Sequence, residues 1–255
     1  MKELSYEKRL LRVKPLYKLS KTKDGTVLCT PYIPSFYFVE VIMIIAIDGP
    51  SGSGKGTIAT LLAKKLNYTY IDTGAMYRCV SLKSIREKIK ITEEDKIVDL
   101  LKNMDIKLTN EGKVYMDSED VSDEIRSIEV TNKVSKISSI ISLREVMRDK
   151  QREYAKKSSI VMEGRDITTE VFPDADYKFY LDASVEERAK RRYLQNKEKG
   201  IESTLEEVKK AIEERDFDDM NRPVGALRRT DEQIYIDSSN MTIDEVLNTM
   251  LEVIK

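Results

Sequence analysis

A glycine-rich stretch with one lysine, residues 44–57 (IIAIDGPSGSGKGT), carries the clearest chemical signal in this sequence. It satisfies the pattern G-x-x-x-x-G-K, with an apolar run before it and helically spaced apolar residues after Lys55. In such a loop, backbone N–H groups converge on phosphate oxygens, while the helix N-terminus and the lysine add positive charge. This context disfavours the alternative of a glycine-rich surface turn. We therefore predict a nucleotide-phosphate site with a partly exposed lysine, formed by Gly49, Pro50, Ser51, Gly52, Ser53, Gly54, Lys55, Gly56 and Thr57.

The residue after the lysine departs from the usual motif. A serine or threonine normally stands there and ligates Mg²⁺, but this chain has Gly56 and places the hydroxyl one residue later, on Thr57. This form is less typical of GTPases and motor ATPases and is similar to the loop of nucleoside monophosphate kinases, in which phosphates and water hold most of the Mg²⁺ coordination. We expect Mg²⁺ to bind together with ATP and predict no metal site built from protein ligands.

Several arginines have the chemistry to bind a second phosphorylated ligand. Phosphoryl transfer between two nucleotides brings two anions together, and the planar fork of arginine contacts phosphate through two hydrogen bonds. Arg78 and Arg165 are the strongest candidates because each follows a glycine-containing turn at a predicted strand end. For any single arginine the alternative is a solvated helix face. The further candidates are Arg188, Arg191, Arg192, Arg215 and Arg222.

Strand and helix patterns alternate from residue 44 onward, which predicts a parallel sheet with helices on both faces. Strands are expected at residues 44–48, 68–71, 159–162, 177–181 and 233–236, and a small hairpin at 105–116. Ligands bind such sheets outside the carboxyl ends of the strands. The phosphate loop, residues 72–78 and residues 163–166 all fall at that edge, so we expect one site there.

Capping boxes indicate where several helices begin. A serine or threonine is followed three residues later by an acidic residue in five places. These pairs are Thr92 with Asp95, Ser142 with Glu145, Ser184 with Glu187, Thr204 with Glu207, and Thr242 with Glu245. Helices are also expected over residues 55–66 and 126–137.

Composition excludes several classes of function. A chain of 255 residues suits one domain with insertions, and its net charge of −1 gives no general attraction to nucleic acid or to an anionic membrane. The chain has no histidine, so no imidazole is available as a base or as a metal ligand. Cys29 and Cys79 lie far apart without metal-site spacing, which favours a reducing, cytoplasmic location.

The first 42 residues differ from the rest. Residues 1–40 contain eight Lys or Arg and four Asp or Glu, without a clear amphipathic period, and the apolar run at 36–47 is too short to span a bilayer. Met43 directly precedes the first strand and is a candidate start of the protein. We therefore expect an N-terminal extension of unknown role at residues 1–42 and one functional domain at residues 43–255.

From residue 43 to its end, the chain resembles bacterial cytidylate (CMP) kinase. The matching segments occur in family order. They are IDGPSGSGKGT, IDTGAMYR, EDVSDEIRS with VSKISSIISLRE, EGRDITTEVFPDA, FYLDASVEERAKRR and EERDFDDMNRP. The phosphate loop alone indicates only a nucleotide, whereas the set is specific to this family.

The resemblance implies a P-loop, doubly wound α/β core of five parallel strands, like that of adenylate kinase. It also implies a monophosphate-binding region at about residues 78–157, enlarged by the insertion around 95–126, and a mobile lid at about 188–199. Lys55 and the loop amides would hold the ATP phosphates, with Arg188 as a further catalytic cation. Other implied contacts are to the acceptor phosphate (Arg78, Arg165, Arg222), the sugar (Arg215, Asp219, Thr73) and cytosine (Ser135, Arg144, Asp166).

The cytosine assignment also makes chemical sense from the residues themselves. Cytosine presents an amino donor beside two acceptors, so its reader needs an acceptor, such as Asp166 or Ser135, and a donor, such as Arg144. Uracil places a carbonyl where the amine was and would oppose the carboxylate with another acceptor. A buried group left unpaired in this way discriminates strongly between ligands.

Two segments depart from the family pattern. Glu163 stands where many relatives have aspartate, which weakens its assignment near the waters of Mg²⁺, and residues 225–229 (GALRR) are unlike the expected continuation after Arg222 and Pro223. We assign no role to Arg228 or Arg229.

The sequence thus predicts a monomeric cytoplasmic kinase that converts CMP, and also dCMP, with ATP to CDP or dCDP and ADP. No general base is needed, because the acceptor is already an anionic phosphate oxygen. Two alternatives stay open at this point. One is a kinase for UMP, AMP or a small metabolite, and the other is a nucleotide-binding module without turnover.

Overall fold

A computed structural model describes residues 11–13, 16–21, 27–32, 39–198 and 200–254. Side chains are described from residue 42 onward, except at 199 and 255. The chain divides into two compact units, Met1–Met43 and Ile44–Lys255.

The N-terminal unit contains two antiparallel strand pairs. Strand β1 (Leu11–Val13) pairs with β4 (Val39–Val41), and β2 (Leu16–Lys21) pairs with β3 (Val27–Tyr32). The sequence analysis predicted no strands here, because the segments are short and none shows a sustained alternation of apolar and polar residues.

The second unit is built on a five-stranded sheet in the order β12-β11-β5-β10-β6, and every neighbouring pair is parallel. Its strands are β5 (Ile44–Asp48), β6 (Thr69–Asp72), β10 (Ile160–Gly164), β11 (Tyr177–Asp182) and β12 (Ile234–Asp237). The predicted doubly wound α/β fold is confirmed, with each of these strands within two residues of its predicted bounds.

Eight α-helices are described in this unit. They are α1 (Lys55–Leu66), α2 (Thr73–Arg86), α3 (Glu94–Asn103), α4 (Ile128–Ile137), α5 (Ile141–Ala155), α6 (Val185–Glu198), α7 (Leu205–Met220) and α8 (Ile243–Val253). A 3₁₀ turn (Glu124–Arg126) precedes α4, and a π-helical turn (Ile167–Val171) follows β10. None of the helices in the described part of the chain has the length and apolar character needed to cross a membrane.

Helix α2 was not predicted from the sequence. Its apolar and small residues are buried on most sides, so it lacks the one-sided pattern that marks a surface helix. The predicted hairpin at 105–116 is confirmed as β7 (Ile106–Leu108) and β8 (Val114–Met116), and a third short strand, β9 (Glu119–Asp120), extends it.

The predicted helix caps have mixed outcomes. Reciprocal capping boxes form at Thr204 and at Thr242, and the backbone N–H of Glu187 donates to Ser184 Oγ at 3.3 Å. Two predicted caps were wrong. Helix α3 begins after Glu93 without a side-chain cap, and Ser142 lies inside α5 because that helix already begins at Ile141.

The sheet separates two hydrophobic cores. On one face, Ala46 and Met162 pack with α2, α3, α4 and α5, and on the other face Ile45 and Ile47 pack with α1 and α8. Successive residues of β5 therefore enter opposite cores, as the period of a strand requires. A smaller cluster of Ala189, Val208 and Ile212 joins α6 to α7.

Candidate active site

The phosphate loop connects β5 to α1 at the carboxyl edge of the sheet. Gly54 is the N-cap residue of α1, and Lys55 is the first residue of that helix. Gly49 has a φ of +152°, and a Cβ there would lie 2.0 Å from the carbonyl oxygen of Leu181. The chain can pass this close to β11 only because no side chain is present.

Lys55 is buried, with 5% of its surface exposed, so the expectation of a partly exposed lysine was wrong. Its ammonium folds back into the loop and donates to the carbonyl oxygen of Pro50 at 2.7 Å and to Ser53 Oγ at 3.4 Å. Burial, and after it the charge of nearby Arg165, lowers the pKa of Lys55. An arriving phosphate would raise this pKa again, because it adds negative charge beside the ammonium.

Two carboxylates flank the loop. Glu163 and Asp72 lie opposite each other in register on β10 and β6. Both line a cavity of about 420 Å³ together with Gly56 and Thr57 at the start of α1. Burial, and then repulsion from Asp72, raises the pKa of Glu163. Two neighbouring carboxylates that repel each other form a donor set suited to a hard cation such as Mg²⁺.

Asp48 joins the phosphate loop to the segment after Arg165. Its fully buried carboxylate accepts hydrogen bonds from the backbone N–H of Ile167 at 3.0 Å, from the N–H of Thr168 at 2.8 Å and from Thr168 Oγ1 at 2.6 Å. Burial raises the pKa of Asp48 to about 6 in spite of these bonds. The last residue of β5 therefore fixes the turn that carries Arg165 and Asp166.

Three of the predicted acceptor-site residues form one buried cluster. Arg165 Nε donates to Asp219 Oδ2 at 2.7 Å, and Arg222 donates to the other carboxylate oxygen of Asp219. Although burial opposes this, the charges of Arg165 and Arg222 keep the pKa of Asp219 below its usual range. The carboxylate is thus held ionised between two guanidinium groups, which it orients.

Arg215 and Arg78 face the same region. Burial, followed by the charges of Arg165 and other arginines, lowers the pKa of Arg215 to about 10. Arg78 donates to Thr131 Oγ1 at 2.8 Å and to the carbonyl oxygen of Ile125 at 3.1 Å, and burial lowers its pKa as well. The mutual repulsion of these guanidinium groups marks a site that favours an anion.

A third group of predicted residues forms an ion pair beside this cluster. Arg144 Nη2 lies 2.5 Å from Asp166 Oδ2, and the two side chains are only 4% and 13% exposed. Arg144 Nη1 donates to the carbonyl oxygen of Ser138 at 2.9 Å. Gly225 closes over the pair with a φ of +66°, and a Cβ there would lie 2.0 Å from Arg144 Nη2.

The remaining predicted residues take the following positions. Thr73 Oγ1 donates to the carbonyl oxygen of Glu163 at 2.7 Å, and Ser135 donates to Asp218 Oδ2 at 3.1 Å. Ser135 is therefore not hydrogen-bonded to the Arg144–Asp166 pair, although it precedes by one helical turn the Ser138 carbonyl that accepts from Arg144. Arg188 is buried, and its hydrogen bonds go to protein groups, among them the carbonyl oxygen of Ser51.

Sequence reasoning missed three residues that organise the site. Asp48 could have been found from its place as the only charged residue in an apolar strand. Tyr77, whose ring centroid lies 5.7 Å from the guanidinium carbon of Arg144, carried no signal beyond a core aromatic. Asp216 lies in the quoted segment EERDFDDMNRP but was passed over between Arg215 and Asp219.

The fold and this arrangement define a class. A phosphate loop at the edge of a parallel sheet, faced by a cluster of arginines, is the arrangement of a P-loop phosphotransferase, which transfers a phosphoryl group between two anionic substrates.

Comparison with known proteins narrows the class. The sequence model of the family described as "Cytidylate kinase" matches residues 45–255. A cytidylate kinase of Caldanaerobacter subterraneus subsp. tengcongensis is 46% identical over 217 residues, which cover 85% of this chain and 96% of that protein. A cytidylate kinase of Desulforamulus reducens is 49% identical, covering 81% of this chain and 94% of that protein, and one of Clostridioides difficile is 44% identical over 82% and 96%. The chain belongs to the cytidylate kinase family.

Proposed function

We propose that this chain transfers the γ-phosphoryl group of ATP to CMP, and also to dCMP, to give CDP or dCDP and ADP. The observation that carries the proposal is the buried Arg144–Asp166 pair next to the arginine cluster around Asp219. The pair offers a donor and an acceptor to a base, and the cluster offers cations to a phosphate. The phosphate loop on the other side supplies the ATP site.

Positioning and charge do most of the work in such a transfer. Lys55 and the loop N–H groups hold the phosphates of ATP, while Arg78, Arg165 and Arg222 hold the phosphate of the acceptor. We assign Arg215, Asp219 and Thr73 to the sugar of the acceptor. Because these groups are already oriented by Asp219 and by the Ile125 carbonyl, little reorganisation is needed during the reaction.

The acceptor oxygen is an anion before the reaction, so the chain needs no general base. Repulsion between two phosphorylated substrates is the obstacle, and the arginines offset it. The lid expected at residues 188–199 would exclude water, which would otherwise accept the phosphoryl group.

The residues near the loop fit a magnesium ion that enters with ATP. Asp72 and Glu163 share the cavity with Thr57, and burial with mutual repulsion makes a nearby cation favourable. Among the described residues, no group of three or more acidic or cysteine side chains could hold a metal by itself, so phosphate oxygens and water would supply the other ligands. When bound, Mg²⁺ neutralises charge on the phosphates.

Base selection would come from the Arg144–Asp166 pair. The carboxylate of Asp166 accepts a hydrogen bond from the amino group of cytosine, and the guanidinium of Arg144 donates one to an acceptor atom of the base. Uracil would set its carbonyl against the carboxylate in a nearly buried site, which costs a hydrogen bond and adds repulsion. We also propose that the chain acts as a monomer in the cytoplasm, because all of these groups lie in one chain and the buried thiol of Cys79 is free.

An assay of ADP formation tests the proposal. The purified chain with ATP and Mg²⁺ is given CMP, dCMP, UMP, AMP or no acceptor. We expect CMP to have the highest kcat/KM and UMP and AMP to be poor acceptors. Preference for UMP or AMP would establish a kinase of another specificity, and tight binding of nucleotides without turnover would establish a binding module.

A further inference from the structure

Two buried charges meet at the backbone of one phosphate-loop residue, Ser51. Asp216 on α7 and Arg188 on α6 form an ion pair with 2.5 Å between Arg188 Nη1 and Asp216 Oδ2. The N–H of Ser51 donates to Asp216 Oδ1 at 3.2 Å, and Arg188 Nη1 donates to the carbonyl oxygen of Ser51 at 3.0 Å. The pair therefore holds both backbone polar groups of Ser51.

The rest of the Arg188 side chain is also used. Its Nε donates to the carbonyl oxygen of Ala183 at 2.8 Å, and a Cβ built on Gly52 would lie 3.3 Å from Arg188 Cβ. The arginine thus lies against the loop along its stem and bonds to it with its head. In this arrangement Arg188 contacts the loop itself rather than the space that phosphates would fill.

Holding the Ser51 carbonyl has a consequence for the next N–H. The peptide unit between Ser51 and Gly52 is planar and trans, so its N–H points opposite to its carbonyl. With the carbonyl fixed on Arg188, the Gly52 N–H is directed away from α6. A phosphate-binding loop depends on N–H groups that are aimed before the ligand arrives.

We propose that Arg188 and Asp216 are positioning residues that hold the phosphate loop in its ATP-binding shape and join it to α6 and α7. This inference rests on the proposed function only in taking ATP as the ligand of the loop. The catalytic role predicted for Arg188 is thereby replaced by an indirect one.

Asp216→Asn is the first test, because it keeps Arg188 and an acceptor for Ser51 but removes the charge that holds the arginine. Without this charge-assisted hydrogen bond the loop adopts its ATP-binding shape less often. The ATP affinity, measured by titration calorimetry, should therefore fall about ten- to hundredfold. CMP affinity should change much less than ATP affinity, and KM for ATP should rise more than kcat falls. Glu214→Gln, an exposed carboxylate two residues earlier on α7, is the matched control and should leave both affinities unchanged.

A direct phosphate contact by Arg188 predicts the opposite result. Freed from Asp216, the arginine would then bind ATP as well as before or better. Unchanged or tighter ATP binding by a folded Asp216→Asn protein would overturn the inference.

The double variant Arg188→Met/Asp216→Leu separates positioning from stability and serves if Asp216→Asn does not fold. Replacing both members of a buried ion pair with apolar residues commonly restores stability. We expect weakened ATP binding and a melting temperature no lower than that of Asp216→Asn, because the backbone groups of Ser51 lose their partners but no charge is left unpaired. Wild-type ATP affinity in the folded double variant would mean that the pair only stabilises the fold. If the wild-type chain binds ATP and the variants lose it, yet CMP is not phosphorylated, the proposed function fails and the positioning role stands.

Discussion

Replacing Asp166 by alanine tests how the chain distinguishes cytosine from uracil. In the structure this carboxylate accepts from Arg144 at 2.5 Å beneath Gly225, and it keeps enough exposure, 13% of its side chain, to meet a ligand. A hydrogen bond to an ionised group contributes roughly 1.5–3 kcal/mol, so kcat/KM for CMP should fall about ten- to hundredfold. UMP should lose far less or improve, because the carboxylate that opposes its carbonyl is gone.

The ion pair complicates the interpretation of this variant and sets its control. Without Asp166, the guanidinium of Arg144 remains buried with its charge unpaired, and breaking a buried pair costs about 3–5 kcal/mol when no water enters. We therefore expect a lowered melting temperature as well as a changed specificity. Asp174→Ala, on an exposed turn after the π-helical turn, is a control that should change neither.

The decisive quantity is the CMP-to-UMP ratio of kcat/KM, measured at a temperature where both proteins are folded. Loss of stability alone lowers both values together and leaves the ratio unchanged. A ratio that stays at the wild-type value would refute base reading by Asp166 and leave it as a structural partner of Arg144.

Three further outcomes are expected. Lys55→Ala should lower kcat by about a hundredfold or more with little change in melting temperature, since the ammonium serves the phosphates and otherwise bonds only within the loop; near-normal turnover in the folded variant would remove Lys55 from the mechanism. Deleting residues 1–42 should leave activity and thermal stability close to those of the full chain, as the family match begins at residue 45; loss of a cooperative melt would show that the domain begins earlier. Because burial raises the pKa of Asp48 from 3.8 to about 6, the folded state binds its proton more tightly, and this group should make stability fall as pH rises across that window. Denaturant unfolding of Asp48→Asn should lack this part of the slope, and an identical pH dependence in both proteins would contradict the assignment.

The fold could be predicted from the sequence to a large extent because its signals are local. Strands β5, β10 and β11 are short, mainly apolar runs. The starts of helices α7 and α8 were predicted from capping boxes, and both boxes form in the structure. Helix α2 escaped prediction because burial on most sides removes its amphipathic pattern. The cap predicted at Ser142 failed because Ile141 had already begun the helix.

The site was predictable in its membership but not in its pairings. Motifs place Arg165, Asp219 and Arg222 near one another, but no spacing rule says that one carboxylate bridges the two arginines. The burial of Lys55 and the contacts of Arg188 with Ser51 depend on how the loop folds against α6, over a sequence separation of 137 residues. Long-range contacts of this kind leave no periodic trace in a single sequence.

A competition assay tests the central claim most directly. Equal concentrations of CMP, UMP and AMP are incubated with the purified full chain, Mg²⁺ and a limiting amount of ATP, and the three diphosphates are separated and quantified. We expect CDP as the dominant product and close to one ADP for each CDP, because each AMP phosphorylated would add two ADP without any CDP. UDP equal to or above CDP, or ATP consumed with no CDP formed, would contradict the account.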